Sequence, residues 1–264
     1  MTRDPLNVAS VDKAFRVLHA FGNAAGDLSL GDIAEISGLD KSAAQRFAHT
    51  LWQLGYLHKN DKTRRFSLGS KVLDLAFFFL KSNALVEAAT PALVELRRAC
   101  GERVYLSLFD DTSIIYAIRQ QSKREYFYSS LIGRRMPTFC TAGGRAILAR
   151  LPREKAADIV SRSELKPLTP KTITDAAVII QKVDQARLDG FALAMEESSI
   201  GELTLGVAVL DSEGIPVAAI HIGGSLSEWQ PDEFARKFAP LVMETAQSLS
   251  RARPPQAVYD VTTS

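Results

Sequence analysis

Residues 38–69, "GLDKSAAQRFAHTLWQLGYLHKNDKTRRFSLG", constrain the fold more than any other part of the chain. A helix-length segment runs without a linker into two short apolar pieces joined by the polar turn "KNDKTR". Asp40 is placed to cap a helix from Lys41 to about Leu54, and Ala44, Phe47, Ala48 and Leu51 recur at the spacing of one packed face. At about 100° per residue, Ser42, Arg46, His49 and Gln53 fall on the opposite side with Gln45 at its margin. The helix is therefore expected to pack by one face and present a polar one.

The flanking sequence completes a small domain. Ser10 is a candidate cap for a first helix carrying Val11, Ala14, Phe15, Val17, Leu18 and Phe21, with Gly22 ending it. Ser29 is placed to cap a second helix, Leu30 to Ser37, with Asp32 three residues on, and Gly38 permits a tight turn. After Gly55, Tyr56–His58 and Arg65–Leu68 read as two strands. Three helices followed by a hairpin predict a winged helix-turn-helix over residues 1–70.

Residues 71–83 contain "KVLDLAFFFLKS", a predicted linker helix so apolar that it must find cover, either on a second copy or within its own chain. Residues 84–253 read as one α+β domain: "ATPALVELRRACG" as a helix, "RVYLSLFD" and "SIIYAIR" as strands about Asp110-Asp111, and "TAGGRAILA" and "TDAAVIIQKVDQARLDG" as helices. "FALAMEE", "TLGVAVLD" and "PVAAIHIGG" follow as strands before a terminal helix from Pro231. Residues 254–264 read as a flexible tail.

In a helix-turn-helix the N-terminal part of the second helix enters the major groove and reaches base edges. Here that part is Ser42, Ala43, Gln45 and Arg46, with His49 further along. Gln45 can pair with adenine and Ala43 can meet a thymine methyl. Arg46 can read guanine, clamp a phosphate or pair with an acid of its own domain. The net charge of the whole chain is only +2, but Lys59, Lys62, Arg64 and Arg65 against Asp61 give the wing a local charge of +3. Such a hairpin can lie along a phosphate backbone or touch the minor groove.

Other classes find little support. Cys100 and Cys140, the only cysteines, are too few for a disulfide framework and do not have metal-ligand spacing. No apolar run reaches membrane length and "MTRDPLNVAS" lacks a signal-peptide core, so a soluble cytoplasmic protein is expected. Nucleophile-elbow, phosphate-loop and zinc-protease patterns are absent, and "IGGS" at Ile222–Ser225 is a weak phosphate motif. A catalytic alternative would have to pair Cys100 or Cys140 with His221, or use Glu196-Glu197. No catalytic residue, metal or cofactor is expected.

The chain resembles the IclR-type bacterial transcriptional regulators over almost its full length. "SVDKAFRVLHAF" is similar to that family's first helix, and "LSLGDIAEISGLDKSAAQRFAHTLWQLGYLHKNDKTRRFSLGSKVLDL" to its helix-turn-helix, wing and linker start. "GRRMPTFCTAGGRAILARLP" and "DGFALAMEESSIGELTLGVAVLDSEGIPVAAIHIGG" resemble its effector-binding segment. The resemblance implies a homodimer or dimer of dimers on double-stranded operator DNA, with a GAF-like second domain that senses a small metabolite. RNA polymerase would be a further partner of an activator. The chain departs from the family's pattern at Phe139, where relatives often carry histidine, at Thr204 in place of a cysteine, and at Ala208 in place of a proline. These departures argue against the metal site suspected in some relatives.

The pocket match points to 136–141, Gly143-Gly144 and 196–209. Thr138, Cys140, Thr141 and Thr204 are candidate hydrogen-bonding groups, and Met136, Phe139, Leu203 and Leu205 candidate wall, although strand alternation lets only about half face one cavity. An aromatic or aliphatic carboxylate is the expected effector, with Arg119, Arg134 and Arg145 as candidate cations and the N–H groups at the helix start near Thr141 as donors. A second reading keeps DNA binding but leaves the larger domain only to oligomerise. The third is an enzyme with a helical accessory domain.

Overall fold

The computed structural model describes residues 6–24, 26–122 and 132–251. The chain forms two compact units, Met1–Phe79 and Leu80–Ser264. The expected tail, 254–264, and the last two residues of the expected effector domain lie outside the described residues.

In the first unit, α1 (Ala9–His19) begins after Val8 with no side-chain cap, so Ser10 lies inside the first turn, where Asp12 meets the helix dipole. The helix tightens into a 3-10 turn at Ala20–Asn23 before reaching Gly22. α2 (Leu30–Ser37) starts with a reciprocal capping box: Ser29 Oγ accepts from the Asp32 amide at 3.2 Å and Asp32 Oδ2 from the Ser29 amide at 2.8 Å. Gly38, at φ 63°, closes it in the left-handed region, and Arg16 donates to the Ser37 carbonyl. Asp40 Oδ1 accepts from the Ala43 amide at 2.8 Å and starts α3 (Lys41–Gln53). Ala44, Ala48 and Leu51 of α3 pack with Val17, Ile33 and Phe66.

The wing strands β1 (Leu57–Lys59) and β2 (Phe66–Leu68) pair antiparallel, Leu57 opposite Leu68 and Lys59 opposite Phe66. The sequence reading did not anticipate a further bridge: Leu28 and Phe66 exchange backbone hydrogen bonds of 2.8 and 2.7 Å, joining the segment before α2 to the wing. α4 (Val72–Ser82) buries none of its residues; Leu73 is 69% and Phe78 59% exposed.

The second unit opens with α5 (Ala84–Cys100), longer at its start than the sequence suggests because Asn83 Oδ1 accepts from the Leu85 and Val86 amides. β3 (Arg103–Asp110), β4 (Ser113–Gln120) and β5 (Arg135–Pro137) precede α6 (Ala142–Leu148), α7 (Arg153–Arg162) and α8 (Ala176–Asp189). β6 (Ala192–Met195), β7 (Glu202–Leu210), β8 (Pro216–Ser225) and α9 (Pro231–Arg251) complete it. The strands form one antiparallel sheet in the order β5-β4-β3-β8-β7-β6. Val104, Leu106, Leu203, Leu205, Ile220 and Ile222 join α5 and α9 in the main core. Residues of alternate parity, among them Tyr105, Ser107, Thr204 and His221, face the other side, where α6 packs.

Candidate nucleic-acid interface and effector cavity

A groove of 630 Å³ lies between α3 and the wing. Ser42, Gln45, Arg46 and His49 line it from the helix, Lys59 and Arg64 from the wing, and Leu30, Trp52 and Phe66 form its apolar floor. Lys59 is held by ring faces, its ammonium 5.4 Å from the Trp52 centroid and 5.9 Å from that of Phe66. The wing turn is organised by Asn60, whose Oδ1 accepts from the Lys62 and Thr63 amides and whose carbonyl accepts from the Arg64 amide at 2.8 Å. That turn sets Arg64 at φ 60°, a left-handed conformation costing a non-glycine residue about 1–2 kcal/mol.

Three of the nine expected DNA-facing residues are not in this groove. Ala43 is half-buried and its amide is occupied by the Asp40 cap. Lys62 is exposed on the wing turn. Arg65 donates to the Asp27 carbonyl at 2.7 Å and to Asp32 Oδ2 at 3.3 Å, tying the wing to the start of α2. The Ser29 hydrogen bonds, with Arg65 adding, hold the Asp32 carboxyl below the usual carboxylate range.

In the second unit, strand register builds a cavity of 160 Å³. Arg119, Tyr105, His221 and Gly206 lie across one row of β4, β3, β8 and β7, and Arg103, Gly223 and Thr204 across the next. A side chain on Gly206 would meet the Gly143 nitrogen at 2.5 Å, and one on Gly143 would meet the His221 ring at 2.0 Å, so these glycines let the start of α6 rest on the sheet. Gly143 and Gly144 are thus buried within the helix expected at "TAGGRAILA". Arg134, Met136, Thr141, Ser198, Ser199 and Glu202 complete the lining with Tyr116. Burial pushes the Tyr116 phenol up, and the Glu202 charge adds to this.

Of the expected effector residues, Arg119, Arg134, Met136, Thr141 and Thr204 line the cavity. Leu203 and Leu205 do not, because alternation turns them into the α5–α9 core. Phe139 and Cys140 pack into the α6–α8 core, and buried Thr138 donates to the Thr112 carbonyl at 3.1 Å. Arg145 is corrected from candidate ligand cation to buried strut: it is 1% exposed, donates Nη2 to Glu197 Oε2 at 2.7 Å and Nε to the Phe139 carbonyl at 2.7 Å. The expected donors at the α6 start are also partly spoken for, since Thr141 Oγ1 accepts from the Gly144 amide. Ser198, Ser199 and Glu202 fall within the expected 196–209 span, whereas Arg103, Tyr105, Tyr116 and His221 were missed as lining; their signal lay in cross-strand register, which a single sequence leaves open.

The chemistry is that of binding. His221 shares a 2.6 Å hydrogen bond with Ser107, not with a cysteine, and burial lowers its pKa to about 3, keeping it neutral. Burial pushes Cys140 up to about 12, far from a reactive thiolate. Glu197 is engaged by Arg145, and Glu196 Oε1 accepts from the Gly201 amide. Among the described residues no helix is long and apolar enough to cross a membrane.

The family model "Bacterial transcriptional regulator IclR C-terminal" matches residues 77–251, and "IclR helix-turn-helix domain" matches residues 10–61. The chain belongs to the IclR family. Similar proteins include the p-hydroxybenzoate hydroxylase transcriptional activator of Acinetobacter baylyi, 29% identical over 92% of this chain and 90% of that protein. The transcriptional regulator KdgR of Escherichia coli is 30% identical over 84% of each chain. The crystal structure of the Thermotoga maritima IclR covers 93% of this chain and 99% of its own, with a TM-score of 0.70 at 28% identity. This IclR-family chain is a DNA-binding transcriptional regulator with a ligand-responsive effector domain, and not an enzyme.

Proposed function

We propose that the regulator reads operator DNA with Ser42, Gln45, Arg46 and His49 and grips the backbone with Lys59 and Arg64. The observation that carries this reading is their convergence on one groove, with helix side chains able to meet base edges and wing cations able to meet phosphates. Ala43, Lys62 and Arg65 take peripheral roles. The working form is a homodimer or dimer of dimers, and the exposed apolar side chains of α4, including Leu73, Phe77 and Phe78, support its cover by a second copy. Residues 71–83 act as the linker between a DNA-binding domain and an effector domain.

The effector is a small carboxylate. Arg103, Arg119 and Arg134 line the cavity, and their positive charge favours an anion. The name of the Acinetobacter relative, concerned with an aromatic acid, agrees with this class. Ligand alters operator affinity by favouring one of two arrangements of the linker helices and hence one spacing of recognition helices.

The test is a fluorescence-anisotropy titration of the DNA beside the protein's own gene across a salt series. Specific, salt-steep binding is expected. Gln45→Ala should lose discrimination among operator variants, whereas Arg64→Ala should weaken binding to all of them and lower the salt slope by about one. Uniform loss on every sequence from Gln45→Ala contradicts its base-reading role.

A further inference from the structure

The start of α4 is fastened to the end of α3. The last carbonyls of a helix have no partner within it, and here Lys71, the residue before α4, donates its ammonium to the Leu54 carbonyl at 3.0 Å. The same ammonium stands 5.5 Å from the centroid of the Tyr56 ring, which packs on the core of the first unit. The backbones approach as closely. The Gly69 amide donates to the Tyr56 carbonyl at 2.8 Å, and a Cβ on Gly69 would meet the Gly55 carbonyl oxygen at 2.2 Å. Gly55, at φ 82°, turns the chain out of α3, and a Cβ there would lie 3.5 Å from Lys71 Cδ. No spacer separates this joint from α4, because the Val72, Leu73 and Asp74 amides donate to the Gly69, Ser70 and Lys71 carbonyls.

Resting on the reading of a dimer that sets two α3 helices on two half-sites, we propose that Lys71 is a positioning residue for operator recognition: by locking α3 to α4 it fixes the half-site spacing that the dimer accepts. A recognition helix joined loosely to its linker would follow a displaced half-site by swinging at the joint. With Lys71 in place, that swing breaks its contacts with Leu54 and Tyr56, so a wrong spacing costs affinity even where every base contact can still form. One inserted base pair moves a half-site by about 3.4 Å and turns it by about 35° around the duplex. Lys71 does not line the groove between α3 and the wing, so its role is separate from gripping DNA there. The same joint makes a rotation of α4 a rotation of α3.

Fluorescence anisotropy tests this with the full chain as wild type, Lys71→Met and Lys71→Arg. The DNAs are the operator beside the protein's own gene, its isolated half-site, and operators lengthened by one and two base pairs between the half-sites. Methionine keeps an apolar stem and removes the cation; arginine keeps a donor and a cation for the Tyr56 ring. Wild type should bind the lengthened operators more weakly than the native one. Lys71→Met should bind the half-site as wild type does and show a lengthening penalty smaller by about two- to fivefold, the worth of one exposed cation–π contact. Lys71→Arg should restore most of the penalty. An equal penalty in wild type and Lys71→Met, or a loss from Lys71→Met that is the same on half-site and full operator, overturns the role of Lys71 and leaves operator recognition by a dimer standing. A wild type that is indifferent to spacing, or that binds no DNA specifically, overturns the dimeric reading and this proposal with it.

Discussion

The recognition groove and the effector cavity both gather cations, but they hold them differently. In the groove, Arg46 and Arg64 are exposed, and Asp32 is engaged by Arg65 outside it. In the cavity, Arg103 is paired with Glu202, and behind the lining Arg145 is locked to Glu197. Solvated cations suit a polyanion, because binding then releases counterions and depends steeply on salt. Partly desolvated, counterbalanced cations are screened less and discriminate the shape and donors of a small anion. On the proposed reading, the same residue type serves attraction in one unit and selection in the other.

The sharpest way to break this contrast is to disturb the buried pair. Arg145→Met or Glu197→Gln should destabilise the second unit by about 3–5 kcal/mol, because each leaves a buried charge without its partner. Urea denaturation followed by circular dichroism should then show an early transition, while Arg64→Ala should shift stability by less than about 0.5 kcal/mol. Similar small shifts from both would remove the distinction between strut and contact arginines.

A smaller effect comes from His221. Its folded pKa, about 3, lies below the ordinary value of 6.5, so as pH falls below 6.5 the unfolded chain takes up a proton that the folded chain refuses. This residue should therefore cost the second unit up to about 1.4 kcal/mol per pH unit below that point and contribute no slope above it. His221→Asn should flatten its share of the profile between pH 6.5 and 4; an unchanged slope would contradict a buried neutral imidazole.

The smallest predicted change separates folding from binding in the groove. Arg64→Gly relieves the left-handed strain at φ 60° and should stabilise the wing by up to about 1 kcal/mol, less the flexibility glycine adds to the unfolded chain. Operator binding should nevertheless weaken and its salt slope fall by about one. Retention of full affinity would show that the wing acts through its shape and not its charge.

What could be read from the sequence depended on whether a signal was local. The Ser29–Asp32 capping box, the Asp40 cap and the Ala44, Ala48, Leu51 face are written within one or two helical turns, and the structure has all of them. The wing's pairing with Leu28 is not local, because it joins residues 38 apart through two backbone hydrogen bonds. α7 was missed because "REKAADIVSR" has few apolar positions, and β5 because three residues carry no alternation. Thr204 and Leu205 show the limit most plainly: adjacent residues in one motif, one faces the cavity and the other the core. Alternation predicts that they part, but only the register with His221 and Arg103 says which way.

The central claim is that an anion in the second unit changes how the first unit holds DNA. The most direct measurement is operator affinity by fluorescence anisotropy with a panel of aromatic and aliphatic carboxylates, each paired with its neutral carboxamide. At least one acid should change the dissociation constant by about fivefold or more, and its amide should not. No change from any acid, or an equal change from the amide, would contradict the account.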